Sequence, residues 1–239
     1  MPRVKRAPKE ALCGLRTPVR FIITAGPTRE HLDPVRFLSN PSTGKMGFAI
    51  AAEAAKRGHE VVLVAGPVAL KTPKGAERVD VVSAREMLAA VKGAIRTSGT
   101  GKTSRTVVIG TAAVADWRPA KCAAKKLKKG EMSGVLRLVR NPDILKAIDS
   151  CRRRSKAVGM RLVGFAAETN DVLKEAARKC REKGLSFIVA NDVTQKGCGF
   201  GTDTNRVTFV FPDGRQRKFP LMAKRMVAKR ILEEVENEE

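Results

Sequence analysis

Short β-branched runs alternate with alanine-rich helical stretches along this chain, and glycine or proline punctuates most of the joins. Val19 to Ala25 is the first such run and stops at Gly26-Pro27. Gly44 to Arg57 reads as a helix that stops at Gly58, and His59 to Ala65 is a second strand, stopping at Gly66-Pro67. Ser83 to Arg96 has good helix formers behind a serine cap. Thr106 to Gly110 is a short, fully apolar strand of the kind buried on both faces. Alternation of this sort predicts a parallel sheet covered by helices.

The second half is less regular. Thr111 to Gly130 holds a small-residue turn, the lone Trp117 and the cluster Lys125-Lys126-Leu127-Lys128-Lys129. Val135 to Val139 is strand-like, and Asn141-Pro142-Asp143 starts a helix with Pro142 in its first turn. Arg161 to Ala166, Asp171 to Glu182 and Leu185 to Ala190 read as strand, helix and strand. Arg206 to Phe211 and Arg215 to Phe219 flank Pro212-Asp213-Gly214 as a hairpin, and Leu221 to Val235 is an amphipathic terminal helix. The expected fold is therefore α/β: a Rossmann-like three-layer sandwich whose mostly parallel sheet ends in a C-terminal β-hairpin and a terminal helix. Residues 1–18 are expected to be a basic, flexible arm, and residues 19–239 a single nucleotide-binding domain.

Composition narrows the function classes. A net charge of +23 raises nucleic acid as a partner. However, the basic residues are spread along the chain, and only 4% aromatic residues with no tyrosine are available to stack bases. A generally basic, solubilising surface is the favoured reading, with a field that suits anionic substrates. Five scattered cysteines (Cys13, Cys122, Cys151, Cys180, Cys198) and two histidines, His31 and His59, make no metal-ligand pattern. Free thiols, no apolar run of membrane-spanning length and no signal sequence point to the cytosol. His59, after Gly58, is expected on the solvated surface.

Loops after strands are where such sheets bind ligands. The dinucleotide fingerprint G-x-G-x-x-G is absent after the first strand, where Ala25-Gly26-Pro27-Thr28-Arg29-Glu30 stands. The P-loop pattern fails at Gly44-Lys45, where Ser39 and Met46 occupy its key positions. It fails again at Gly101-Lys102-Thr103, within a polar connection, Ser98 to Ser104, that leads into a strand. What remains is Ser39 to Gly47, running straight into a helix. Hydroxyls, glycines and a lysine at a helix N-terminus are the components of a phosphate site. They equally suit an ordinary helix start capped by Ser42 or Thr43. The lysine cluster, in turn, is either a solvated loop or a cationic cover for phosphates, since it follows Ala112-Ala113-Val114-Ala115-Asp116 at a strand's C-terminal end.

Taken in order, eight segments resemble the phosphopantothenoylcysteine synthetase family (phosphopantothenate–cysteine ligases). They are Ile23 to Glu30, Asp33 to Asn40, Ser42 to Gly47, Ala112 to Asp116, Lys126 to Lys129, Asn141 to Leu145, Val163 to Thr169 and Ala190-Asn191-Asp192. The resemblance covers roughly residues 19 to 235.

The resemblance implies a ligase of coenzyme A biosynthesis that works in two half-reactions. A nucleoside triphosphate, CTP in most bacterial members, carried with Mg²⁺, activates the carboxylate of 4'-phosphopantothenate as an acyl-cytidylate and releases pyrophosphate. The amine of L-cysteine then displaces CMP. The resemblance also implies roles. Asn40 would hold the acyl-nucleotide intermediate, although an asparagine before Pro41 equally suits a turn. Lys126 would contact the triphosphate and support the first step. Gly110, Thr111, Ala112 and Asp116 would hold base and ribose, and Pro142, Asp143, Ile144, Leu145, Phe165, Lys179 and Lys183 would make further nucleotide contacts. Lys179 and Lys183 are four apart on a predicted helix, so both can face one ligand. Gly26, Ser39, Asn40, Ser42, Thr43, Gly44 and Lys45 would form the phosphate and substrate loop.

Many relatives carry a fused flavin-dependent decarboxylase, for which this chain has no room, so a separate decarboxylase is expected to act downstream. Trp117 stands where tyrosine is common. A homodimer is a family expectation, with the Arg206–Phe219 hairpin as a contributing surface. The competing readings are an NAD(P)-dependent oxidoreductase on a related sheet and a basic nucleic-acid-binding module.

Overall fold

Every residue of the first apolar run, Val19 to Ala25, is buried. Such a strand can only lie inside a sheet covered on both faces, because successive side chains point to opposite sides. The computed structural model describes residues 18–97, 105–131, 134–155 and 159–237; the basic arm through residue 17, with Cys13, and the Ser98–Ser104 connection lie outside them.

In chain order, β1 (Val19–Ala25) is followed by a small hairpin of β2 (Arg29–His31) and β3 (Phe37–Ser39), then α1 (Lys45–Lys56). Next come β4 (Glu60–Ala65), β5 (Ala76–Asp80), α2 (Ala84–Arg96) and β6 (Arg105–Gly110). A second small hairpin, β7 (Trp117–Pro119) with β8 (Leu138–Arg140), precedes α3 (Ile144–Ser155), β9 (Met160–Glu168), α4 (Val172–Glu182) and β10 (Phe187–Asp192). The chain closes with β11 (Thr204–Asn205), β12 (Thr208–Val210), β13 (Gln216–Lys218), β14 (Met222–Ala223) and α5 (Lys224–Asn237).

The main sheet runs β13-β12-β10-β9-β6-β1-β4-β5. From β10 to β5 all neighbours are parallel; β12 joins β10 antiparallel, and β13 joins β12 antiparallel. Phe21 and Ile23 face the layer of α1 and α5, packing with Phe48, Ile50, Val227 and Ile231. Ile22, between them, faces the layer of α2, α3 and α4 with Met87, Val91, Ile148 and Ala176. The three-layer sandwich, the mostly parallel sheet, the hairpin and the terminal helix are thus all present. Burying each such Phe or Ile contributes about 1.5–3 kcal/mol. Cys122, Cys151, Cys180 and Cys198 are free thiols, and burial pushes the Cys180 thiol up to about 11.

Several local expectations are corrected. Neither Ser42 nor Thr43 caps α1. Its N-cap is Gly44 at φ 78°, with no side-chain bond to the helix. Pro142 precedes α3 instead of entering its first turn, and Asp143 caps the helix, accepting from the backbone N–H of Lys146 at 3.1 Å and of Ala147 at 2.9 Å. The strand expected from Val135 contracts to Leu138–Arg140, because its partner is the three-residue β7. The terminal helix starts at Lys224, three residues late, since Met222 and Ala223 pair with β11 first. His59 is not solvated. Its side chain is 6% exposed, with Nε2 3.0 Å from Glu236, Nδ1 accepting from the Val19 N–H, and the ring against Phe21. In the C-terminal hairpin, Phe209 and Phe211 are core residues and β13 is fully exposed and polar. Among the described residues no helix is long and apolar enough to cross a membrane.

Candidate functional site

The strand order reverses between β1 and β6: the chain builds outward through β4 and β5 on one side, and through β9 and β10 on the other. A crevice opens beyond the carboxyl ends of strands at such a reversal. Here the two loops are laced together. Pro27 and Ala113 form a parallel bridge, and the Ala113 N–H donates to Gly26 O at 2.9 Å. The Thr111 hydroxyl donates to Thr24 O at 2.6 Å, and Thr28 Oγ1 accepts from the Ala115 N–H at 3.0 Å. These bonds hold the small-residue segment Ala112–Ala115 flat, as one wall of a cleft of about 460 Å³.

The opposite wall is the start of α3. Gly110 forms part of the floor, where an added Cβ would lie 2.8 Å from the Leu145 side chain. Phe165 to Glu168, the carboxyl end of β9, close the far side, and Lys179 and Lys183 stand on the rim. Asn40 enters from the end of β3 and donates from Nδ2 to Ala113 O at 3.1 Å. Both rim lysines are paired: Lys183 with Asp143 at 2.8 Å, and Lys179 in a very short contact with Glu168. Burial works to raise the Asp143 carboxyl, but the Lys183 ammonium and the Lys146 N–H outweigh it and hold the group below the ordinary carboxylate range. An anion entering the cleft therefore meets cations that must exchange partners, not create new charge.

A smaller recess of about 80 Å³ adjoins the cleft, sharing Thr111, Phe165, Ala167 and Phe200 with it. Ser42, Thr43, Gly44 and Lys45 line it at the N-terminus of α1, where backbone N–H groups and the helix dipole favour an anion. Lys45 Nζ donates to Gly201 O at 2.7 Å and to Asp203 at 2.8 Å. Lys224, also lining the recess, has its ammonium pushed down by burial and by Lys45, with Asp203 opposing. Asn205 lines the same recess, and its buried Oδ1 has no hydrogen-bond partner among the described residues.

The structure gathers Asn40, Gly110, Thr111, Ala112, Asp116, Pro142, Asp143, Ile144, Leu145, Phe165, Lys179 and Lys183 into the cleft. Ser42 to Lys45 fall in the recess. Gly26 and Ser39 line neither. Gly26, at φ 79°, backs onto Gly44 and Val68, and the Ser39 hydroxyl donates to Thr28 O at 2.8 Å, so both brace the loop from behind. Lys126 also lies outside the cleft lining, exposed on a strap whose neighbour Leu127 is bonded to the β2–β3 turn. Glu168, Phe200, Asn205 and Lys224 went unassigned in the sequence. Glu168, at the end of an apolar strand, carried a detectable signal; the others sit in loops or at a helix start with no local pattern. Among the described residues no three His, Cys, Asp or Glu side chains are grouped to hold a metal ion.

Over residues 17–238 the chain matches the family described as DNA/pantothenate metabolism flavoprotein C-terminal domain. It is 44% identical over 220 residues to the Coenzyme A biosynthesis bifunctional protein CoaBC of Escherichia coli K12, an alignment covering 91% of this chain and 51% of that protein. Against the protein of the same name from Bacillus subtilis 168 it is 46% identical over 215 residues, covering 90% and 50%. The chain thus spans about half the length of the curated relatives it matches. The crystal structure of the C-terminal domain of Coenzyme A biosynthesis bifunctional protein CoaBC superposes with a TM-score of 0.72 at 42% identity, covering 91% of this chain and 93% of that one. A Cab2 H337A complex with phosphopantothenate-cysteine has the same fold, with a TM-score of 0.71 at 15% identity and 92% and 86% coverage.

Proposed function

Because this chain belongs to the DNA/pantothenate metabolism flavoprotein C-terminal domain family, we propose that it is a phosphopantothenate–cysteine ligase of coenzyme A biosynthesis, using CTP. The observation that carries the reading is the joined pair of compartments at the β1/β6 reversal: a cleft walled by flat backbone and rimmed by lysines, opening into an anion-favouring helix N-terminus.

A carboxylate is a poor electrophile until one of its oxygens becomes part of a good leaving group. In the proposed first step a carboxylate oxygen of 4'-phosphopantothenate attacks the α-phosphorus of CTP, and the bond to the β-phosphate oxygen breaks, releasing pyrophosphate. In the second, the L-cysteine amine attacks the acyl carbon, the acyl–oxygen bond breaks, CMP leaves and the amine loses a proton. The backbone of Gly110 to Ala112, with Asp116, would receive base and ribose; Pro142 to Leu145 and Phe165 would line the nucleotide. Lys179 and Lys183 would exchange their carboxylate partners for phosphate, and Lys126 would neutralise charge on the triphosphate as pyrophosphate departs. Ser42 to Lys45 would cradle an anionic group at the start of α1. Asp116, Asp143 and Glu168 line the cleft without grouping into a metal-ligand set among the described residues, which fits Mg²⁺ held mainly by the nucleotide phosphates. When bound, that ion supplies charge neutralisation. A cytosolic homodimer, with a decarboxylase consuming its product, completes the proposal.

The direct test is pyrophosphate release by the purified protein given 4'-phosphopantothenate, cysteine, Mg²⁺ and CTP or ATP, with light scattering for the dimer. No release with either nucleotide would sink the reading, and faster turnover with ATP would overturn the CTP assignment. Asn40→Asp carries a further expectation. The new carboxylate would face Ala113 O and an anionic intermediate, so ligated product should form about 10²-fold more slowly. Pyrophosphate release should fall less, and rapid-quench measurement of the two products separates the steps.

A further inference from the structure

We propose that Asp33 is a positioning residue for this ligation chemistry, fixing the strap that carries Lys126 against the hairpin that presents Asn40. The inference rests on the roles proposed above for those two residues.

Asp33 sits in the turn between β2 and β3, and its side chain is 0% exposed. Oδ1 accepts from the backbone N–H groups of Val35 at 2.9 Å and Arg36 at 2.8 Å. Those two bonds alone would be an ordinary turn. Oδ2 does something a turn does not need. It accepts from Arg36 Nε at 3.1 Å and Nη2 at 2.5 Å, and from the N–H of Leu127 at 3.2 Å, 94 residues away. Arg36 Nη2 then donates to Leu127 O at 3.0 Å. Both backbone groups of the residue after Lys126 are therefore held by one ion pair. At the other end of the strap, the Ala123 N–H donates to Leu32 O at 2.8 Å, so Lys126 lies between two anchors on the same turn. From that turn β3 leads directly into Asn40, in the cleft.

Only an ionised carboxylate suits this position, because both oxygens must accept and none may donate. The Arg36 guanidinium holds the Asp33 carboxyl well below the usual range against the opposing effect of burial, with the N–H groups of Val35, Arg36 and Leu127 adding to it. In an asparagine, one of the two atoms becomes a donor facing other donors.

The test is Asp33→Asn, alone and combined with Lys126→Gln, in the full chain. Pyrophosphate release in a single turnover at saturating CTP should fall about 10²-fold, the scale of a small misplacement of a reacting group, with much less change in nucleotide Kd. Trypsin should cut after Lys125, Lys126, Lys128 or Lys129 about tenfold faster while the melting transition persists, because a local anchor has gone. The double variant should be no slower than Lys126→Gln alone, since Asp33 acts through that lysine. Wild-type release rates in Asp33→Asn, or losses that multiply in the double variant, would overturn the inference. If Asp33→Asn does not fold, Leu127→Pro decides, deleting the strap's donor while leaving the Asp33–Arg36 pair: a comparable loss supports the inference and a wild-type rate overturns it. A wild-type protein that releases no pyrophosphate defeats the ligase reading itself, whereas an active wild type with an indifferent Asp33→Asn defeats only this inference.

Discussion

Lys126→Gln should slow pyrophosphate release by about 10²–10³-fold, the loss typical of removing one preorganised charge from a transition state. The departing pyrophosphate gathers negative charge as its bond to the α-phosphorus lengthens, and glutamine keeps most of the side chain's length while removing the cation that meets that charge. Lys126 is exposed and its strap is tied down by Leu127 and Ala123, so the substitution should leave the melting temperature within error. Cysteine coupling, assayed from a preformed acyl nucleotide, should be nearly unaffected, because charge on the triphosphate no longer matters once pyrophosphate has left. Single-turnover release of labelled pyrophosphate measures the first step. A wild-type rate there would remove Lys126 from the mechanism.

Gly47→Ala should be strongly damaging for a single added methyl group. Gly47 lies in the first turn of α1, and a Cβ there would lie 2.5 Å from Ala25 Cβ and 2.5 Å from Thr111 Oγ1. Neither neighbour can move cheaply. Ala25 ends the central strand, and the Thr111 hydroxyl is spent on Thr24 O in the lacing that holds the cleft wall. Prying α1 from the β1/β6 reversal should cost about 1–3 kcal/mol and disorder the recess it lines. For a domain of this size that is a fall of roughly 2–12 °C in melting temperature. Gly93→Ala is the control of opposite sign. It lies within α2 with nothing inside 4 Å of an added Cβ, so it should stabilise by about 0.5–1 kcal/mol. Differential scanning calorimetry of the pair tests the packing directly: equal shifts in the same direction would show that close approach at Gly47 is not what matters.

The central strands and their helices were legible because burial on both faces demands an unbroken apolar run, which β1, β4 and β6 display openly. β5 was missed for the complementary reason. Ala76–Asp80 is an edge strand with no fully buried residue, so its sequence, Ala-Glu-Arg-Val-Asp, follows no two-sided apolar rule. The β2–β3 hairpin is too short to show alternation. The cap of α1 was misread because serine and threonine cap many helices, while the left-handed turn at Gly44 depends on the close packing of Gly26 and Val68 behind it. His59 looked solvated after Gly58, but Glu236, 177 residues away, covers it.

The layered α/β frame and the segments that converge on the cleft can be read from the amino-acid order alone, since periodicity and short motifs are local properties of a chain. What those segments do to one another emerges only when the chain is folded. Folding sets Lys179 against Glu168 and Lys183 against Asp143, brings Lys224 and Asn205 to the recess at the N-terminus of α1, and joins Asp33 to Leu127. Apart from the first of these pairs, which spans a single strand-to-helix connection, such contacts link stretches of chain tens of residues apart. No local pattern records them, because their energy depends on the desolvation and geometry that the assembled sheet imposes.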